Sequence, residues 1–285
     1  MQVIKNFLTI LSYQTWIVMA LSFLSTFMCS RYHVLVNLPT ALISIAVVFP
    51  IVFSINAAYK RREEALCYFA SIKSSIVALF YVHRDWGRHG QQEDSKRARE
   101  LGMSLLINIQ QYLTAKEHQQ AQFQNIYHVF SQYSISIEKL RDVGLSGSET
   151  SRAQQQVRNM MNDFERMRNI LIYRTPTSIR AYTQVFLNSF PILFGPYFAY
   201  IADRYIYAYG FFLAATYSLV LVGLDNIQDL LENPFDALGT DDIDLNVAEL
   251  YRSILTIDNE EKVTLTPQIE QELLESILPD PVVAK

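Results

Sequence analysis

Apolar residues gather in this chain into long unbroken stretches, not into the short alternations that mark strands. Four stretches approach the ~20 residues a helix needs to cross a bilayer: residues 15–29, about 38–58, about 182–202 and about 206–224. Between the second and the third the pattern becomes helical. Leu101, Leu105, Ile109 and Leu113 recur every four residues, and Val157, Met160, Met161, Phe164, Met167 and Leu171 follow i, i+3, i+4, i+7 spacing. The Gly- and Ser-rich stretch from Gly144 to Ser151 predicts a loop. Beyond the fourth stretch, Thr266 as N-cap and Pro267 at the first helical position open a tail helix with an acidic first turn. No alternating strand pattern bounded by turns is present, so the expected class is all-α.

The second apolar stretch meets Lys60, Arg61 and Arg62. A Lys or Arg at mid-bilayer costs roughly 2.5–3.5 kcal/mol, so these three belong in water or headgroups. Glu63, Glu64, Ala65 and Leu66 are good helix formers, and the helix is expected to continue past the membrane. Tyr197, Tyr200, Tyr205, Tyr207 and Tyr209 surround the polar pair Asp203–Arg204, as an interfacial belt around a tight turn does. The segmentation predicted is 1–60 for the first two spans, 61–180 for a cytosolic helical region, 181–224 for the last two spans and 225–285 for an acidic tail. The first stretch is not followed by a small-residue cleavage site, and is read as a span and not as a cleaved leader.

Composition sharpens this picture. Half of the 285 residues are hydrophobic, and mean hydropathy is +0.10, high for a water-soluble protein. The net charge of −4 gives no bulk field for nucleic acid. Charge is unevenly spread: residues 60–180 hold 18 Lys/Arg against 12 Asp/Glu, whereas 225–285 hold 3 against 15. The basic excess after the second span places the middle region in the cytoplasm. With two hairpins on either side of it, both termini fall there as well. Cys29 and Cys67 are too few for a disulfide framework or a zinc site.

Enzyme signatures are missing. His83-Arg84-Asp85 resembles a kinase catalytic triplet without the other kinase motifs, and is read as a surface turn. The five histidines lack metal-ligand spacing. Two other constellations carry more. Ile45, Phe49 and Phe53 stand four residues apart, so they form one stripe about 12 Å long on a helix. Such a stripe either packs against another helix or, repeated around an axis, makes a hydrophobic constriction that gates by wetting. Asn233-Pro234-Phe235 is followed by Gly239-Thr240-Asp241-Asp242-Ile243-Asp244. Its bunched carboxylates are either a solvated acidic turn or oxygen ligands for a hard cation.

These stretches resemble the bestrophin family of ion channels, closer to its bacterial and plant-type members. Phe53-Ser54-Ile55-Asn56-Ala57-Ala58-Tyr59-Lys60-Arg61-Arg62-Glu63-Glu64-Ala65 is similar to the family's F-R-N-N-x-x-Y-D-R-(W/F)-x-E-A segment. Tyr182-Thr183-Gln184-Val185 matches the core of its I-P-x-x-Y-T-Q-V region, and Asn233-Pro234-Phe235 its N-P-F-G. The resemblance implies a homopentamer whose subunits have four transmembrane helices and a cytosolic helical bundle. It implies an axial pore with its neck at Ile45, Phe49 and Phe53, an ion-binding position near the neck exit at Asn56, and a cytosolic aperture at Ile179. Aligned on Gly239, it places a calcium clasp on Asp241, Asp244 and the carbonyls of Leu230 and Asn233. The insertion Asp236-Ala237-Leu238 and an alternative alignment on Asp242-Ile243-Asp244-Leu245-Asn246 both argue against that clasp. The expected partners are other copies of the chain, the lipid bilayer and chloride or similar monovalent anions, with no cofactor required. The family's arginine after the neck phenylalanine is Ser54 here, which leaves cation conduction as the alternative selectivity. A non-conducting membrane scaffold or receptor is the alternative class.

Overall fold

A computed structural model describes residues 11–86, 92–115, 120–173, 176–235, 243, 245 and 247 of the chain, without the side chains of 40–47, 50, 92 and 177. Eight helices are described: α1 (Tyr13–Arg31), α2 (Thr40–Asp85), α3 (Gln92–Thr114), α4 (Gln120–Lys139), α5 (Gly147–Ile172), α6 (Thr177–Leu193), α7 (Gly195–Arg204) and α8 (Tyr207–Glu232). The chain divides into two compact units, residues 1–70 with 163–243, and residues 71–162 with 244–285.

In the first unit α1 packs against α6, α7 and α8. Its pattern is inverted relative to a water-soluble protein. Thr15, Ser22 and Thr26 are buried, while Trp16, Ile17, Leu21, Leu24, Phe27 and Met28 are exposed. Small hydroxyl residues inside and large apolar residues outside are what helix packing in lipid favours. Three described helical segments, Ile51–Asp85, Ser178–Arg204 and Tyr207–Glu232, are long and apolar enough to cross a membrane by length and composition. The span expected at 15–29 lies within α1, which is not among those three. α1 closes at its C-terminus with His33 in the left-handed region (φ 56°). There Val34 N–H bonds Cys29 O and His33 N–H bonds Ser30 O, which satisfies two end carbonyls.

The span expected at about 182–202 is broken. α6 contains Pro191 and stops at Leu193, and α7 begins at Gly195 with Pro196 next. Pro196 has no N–H for Ile192 O. Ser25 Oγ donates to that carbonyl instead at 2.8 Å, and Ser22 Oγ to Pro191 O at 2.8 Å. A Cβ on Gly195 would stand 2.1 Å from Ser25 Oγ, so this close approach requires glycine. Two hydroxyls on α1 thus bond the Pro191 and Ile192 carbonyls beside the break, and only the second of these loses its helical partner to a proline.

In the second unit the predicted periodic faces are largely buried: Leu105, Ile109 and Leu113 on α3, Val157 and Met160 on α5, with Leu101 and Met161 half-buried. Two expectations are corrected. The stretch 144–151 is a loop only to Ser146, because a capping box starts α5 there. Ser146 N–H donates to Glu149 Oε2 (3.0 Å) and Glu149 N–H to Ser146 Oγ (3.3 Å). His83 is not on a surface turn either. It lies inside α2, 1% exposed, with Nδ1 2.7 Å from Leu79 O and Nε2 2.8 Å from Ser136 Oγ. A carbonyl only accepts, so Nδ1 carries the proton and Nε2 accepts from the serine hydroxyl.

Candidate pore-lining site

α2 has two unlike faces over residues 48–59. Ile51, Ser54 and Ala58, at i, i+3 and i+7, are buried at 5% exposure or less. Ile51 sits in a cluster with Leu187 and Leu221, against which Ile55, Phe190, Tyr217 and Leu224 pack. The opposite face carries Phe49 (62% exposed), Val52 (53%) and Phe53 (59%). The two phenyl rings meet edge to face, with centroids 4.9 Å apart. The exposed apolar stripe is therefore held rigidly by a helix whose other face is fixed in the unit's core. Ile45 falls within α2, but its side chain lies outside the described residues. Asn56, one turn beyond Phe53, is exposed. Val52 was missed by a four-residue spacing rule, although its i+3 relation to Phe49 was available.

Ile179 lies in the first turn of α6 and is 48% exposed. Its neighbour Arg180 reaches the last turn of α8. Its Nη2 is 2.9 Å from Asp229 Oδ1 and its Nη1 is 2.7 Å from Glu232 Oε2. One interval deeper, Asn188 Nδ2 donates to Asp225 Oδ2 at 3.2 Å. These pairs make a polar ladder along the α6–α8 contact. The sequence reading missed the ladder, since its members stand 37 to 52 residues apart.

Of the expected calcium-clasp residues, Leu230 is near the end of α8 and 38% exposed. Asn233 follows as its C-cap and accepts the Phe235 N–H through Oδ1 at 3.4 Å. Phe235 is buried, and Ile243 N–H returns to Pro234 O at 2.9 Å. Asp241 and Asp244 lie outside the described residues. Among the described residues no group of three or more His, Cys, Asp or Glu side chains is arranged to hold a metal ion.

No family model and no curated protein matches the chain in sequence. Solved structures do match. A bacterial bestrophin homologue from Klebsiella pneumoniae superposes with a TM-score of 0.74 at 14% identity, covering 86% of this chain and 97% of that one. A second structure of a Klebsiella pneumoniae homologue gives 0.74 at 15% identity over 87% and 98%. A crystal structure described as a membrane protein gives 0.73 at 14% over 86% and 97%. Taken with three helical segments able to cross a bilayer, these likenesses mark a membrane protein. The chain has the bestrophin fold.

Proposed function

We propose that the protein is a bestrophin-type ion channel, a homopentamer in which five copies of α2 surround one pore. Each subunit contributes four transmembrane helices, α1 among them, and both termini face the cytoplasm. The neck is formed by Ile45, Phe49 and Phe53, joined by Val52. Asn56 meets ions at the neck exit, and Ile179 forms the cytosolic aperture. The observation that carries this reading is the face contrast on α2. Ile51 is wholly buried, while the phenyl rings two residues to either side stand out from the fold. A membrane helix presents such a stripe to lipid, to another subunit or to a pore, and the fold favours the last.

Phenyl edges are weakly positive, and a neck of five such pairs suits chloride and similar monovalent anions. The basic residues of 60–180 add to their local concentration. Ser54 removes the family's arginine charge and also sits on the buried face, which keeps cation conduction as the second reading. A calcium clasp at Asp241, Asp244, Leu230 and Asn233 is a further proposal, tested by flux with and without calcium in D241N and D244N. The pore itself is tested with Phe53→Cys in a chain lacking Cys29 and Cys67. A membrane-impermeant thiol reagent should block ion flux through this variant in liposomes. Unblocked flux after complete labelling would place Phe53 outside the pore.

A further inference from the structure

Arg180, Asp229 and Glu232 are placed against the electrostatics of their own helices. Arg180 lies in the first turn of α6, whose free N–H groups already make that end positive. Asp229 and Glu232 lie in the last turn of α8, where free carbonyls make the end negative. Local helix energetics disfavour all three positions. What holds them is the cross-pairing of 2.9 and 2.7 Å. The pairing does not balance, because two carboxylates meet one guanidinium. The Glu232 side chain is 3% exposed, and its second oxygen is buried without a hydrogen-bond partner among the described residues. A buried carboxylate that water cannot reach keeps its field, whereas an exposed one is screened.

We propose that this clamp determines selectivity in the pore, through charge delivered beside the cytosolic exit. The inference rests on the reading that Ile179 borders the ion path. Arg180 is the residue next to it, and a ring of five free arginines there would favour anions strongly. Asp229 and Glu232 cancel that charge and leave one net negative charge per subunit. The clamp therefore tempers the anion preference of the neck. A unit charge about 10 Å from the path, in a water-like dielectric, changes local ion concentration about twofold, and five copies act together.

The test is the chloride-to-potassium permeability ratio of reconstituted protein. Arg180→Gln leaves two carboxylates and should lower the ratio at least about threefold. Asp229→Asn or Glu232→Gln removes one of the two carboxylates, leaves a neutral one-to-one pair and should raise it by a similar factor. Arg180→Lys keeps the charge and should stay within about twofold of the parent. The shifts should be larger at low than at high ionic strength. A clamp acting only as a mechanical latch would move both kinds of variant in one direction. That result, or an unchanged ratio in a conducting parent, overturns the proposal. If Arg180→Gln does not assemble, Asp229→Asn decides alone, since Asp229 is 40% exposed and tolerates the change. A parent that conducts no ions refutes the pore reading first, and the clamp's role falls with it.

Discussion

Alanine substitutions on opposite faces of α2 should have opposite consequences. Ile51 is 0% exposed and packs on Leu187 and Leu221, so Ile51→Ala removes a fully buried side chain and should cost about 2–5 kcal/mol. Phe53 is 59% exposed within the chain, so only about two-fifths of its ring is covered. Scaled from the ~3–5 kcal/mol of a buried Phe→Ala, Phe53→Ala should cost the subunit about 1–2 kcal/mol, its edge contact with Phe49 included. Thermal unfolding of the detergent-solubilised protein reads both costs, and ion flux per reconstituted molecule reads the effect on the pore. Ile51→Ala should lower the midpoint and leave flux per folded molecule near that of the parent. Phe53→Ala and Phe49→Ala should lower the midpoint less than Ile51→Ala does and should alter flux or ion preference while the oligomer persists. If Phe53→Ala destabilises as much as Ile51→Ala and leaves flux unchanged, the stripe is a packing surface and the pore assignment fails.

Gly195→Ala should push α1 away from the α6–α7 break, at about 1–3 kcal/mol for the clash plus up to ~1.7 for the Ser25 bond. In a double-mutant cycle Ser25→Gly should recover part of that loss, and strict additivity of the two changes would contradict the contact. His33→Gly should relieve the left-handed residue after α1 and raise stability by about 0.5–1 kcal/mol, whereas His33→Val should lower it. The Ser146 N–H, aided by the Ser146 hydroxyl, holds the Glu149 carboxyl below its ordinary range. The stabilisation is therefore present above that range and lost as pH falls through the lowered value. The midpoint difference between parent and Glu149→Ala should be seen at neutral pH and vanish in strong acid. A difference that persisted there would rule out the ionised cap.

Much of the fold was legible because helix periodicity and long apolar stretches are set by the local order of residues. The faces of α3 and α5 follow directly from i, i+3, i+4 spacing, and Phe49 and Phe53 from their positions in an oily helix. What the pattern missed depends on contacts distant in sequence. Ser22 and Ser25 look like ordinary polar residues in an apolar stretch until the break after Leu193 presents the Pro191 and Ile192 carbonyls to them. The break at Phe194 was nonetheless signalled by Gly195-Pro196. His83 was misread because its neighbours are charged, while its own surroundings are supplied by Ser136 on another helix. The capping box was hidden by the loop-like composition of Gly144 to Ser151, although Ser146 and Glu149 have its spacing. The Arg180 clamp left one trace in sequence, charges at the unfavourable ends of their helices, which only known helix boundaries make visible.

The central claim is a conducting pore with an anion-favouring neck. The most direct measurement is the reversal potential across liposomes holding the purified protein under a potassium chloride gradient. The account predicts a current whose reversal potential lies toward chloride. A potential lying toward potassium would contradict the selectivity, and no current, with or without calcium, would contradict the pore.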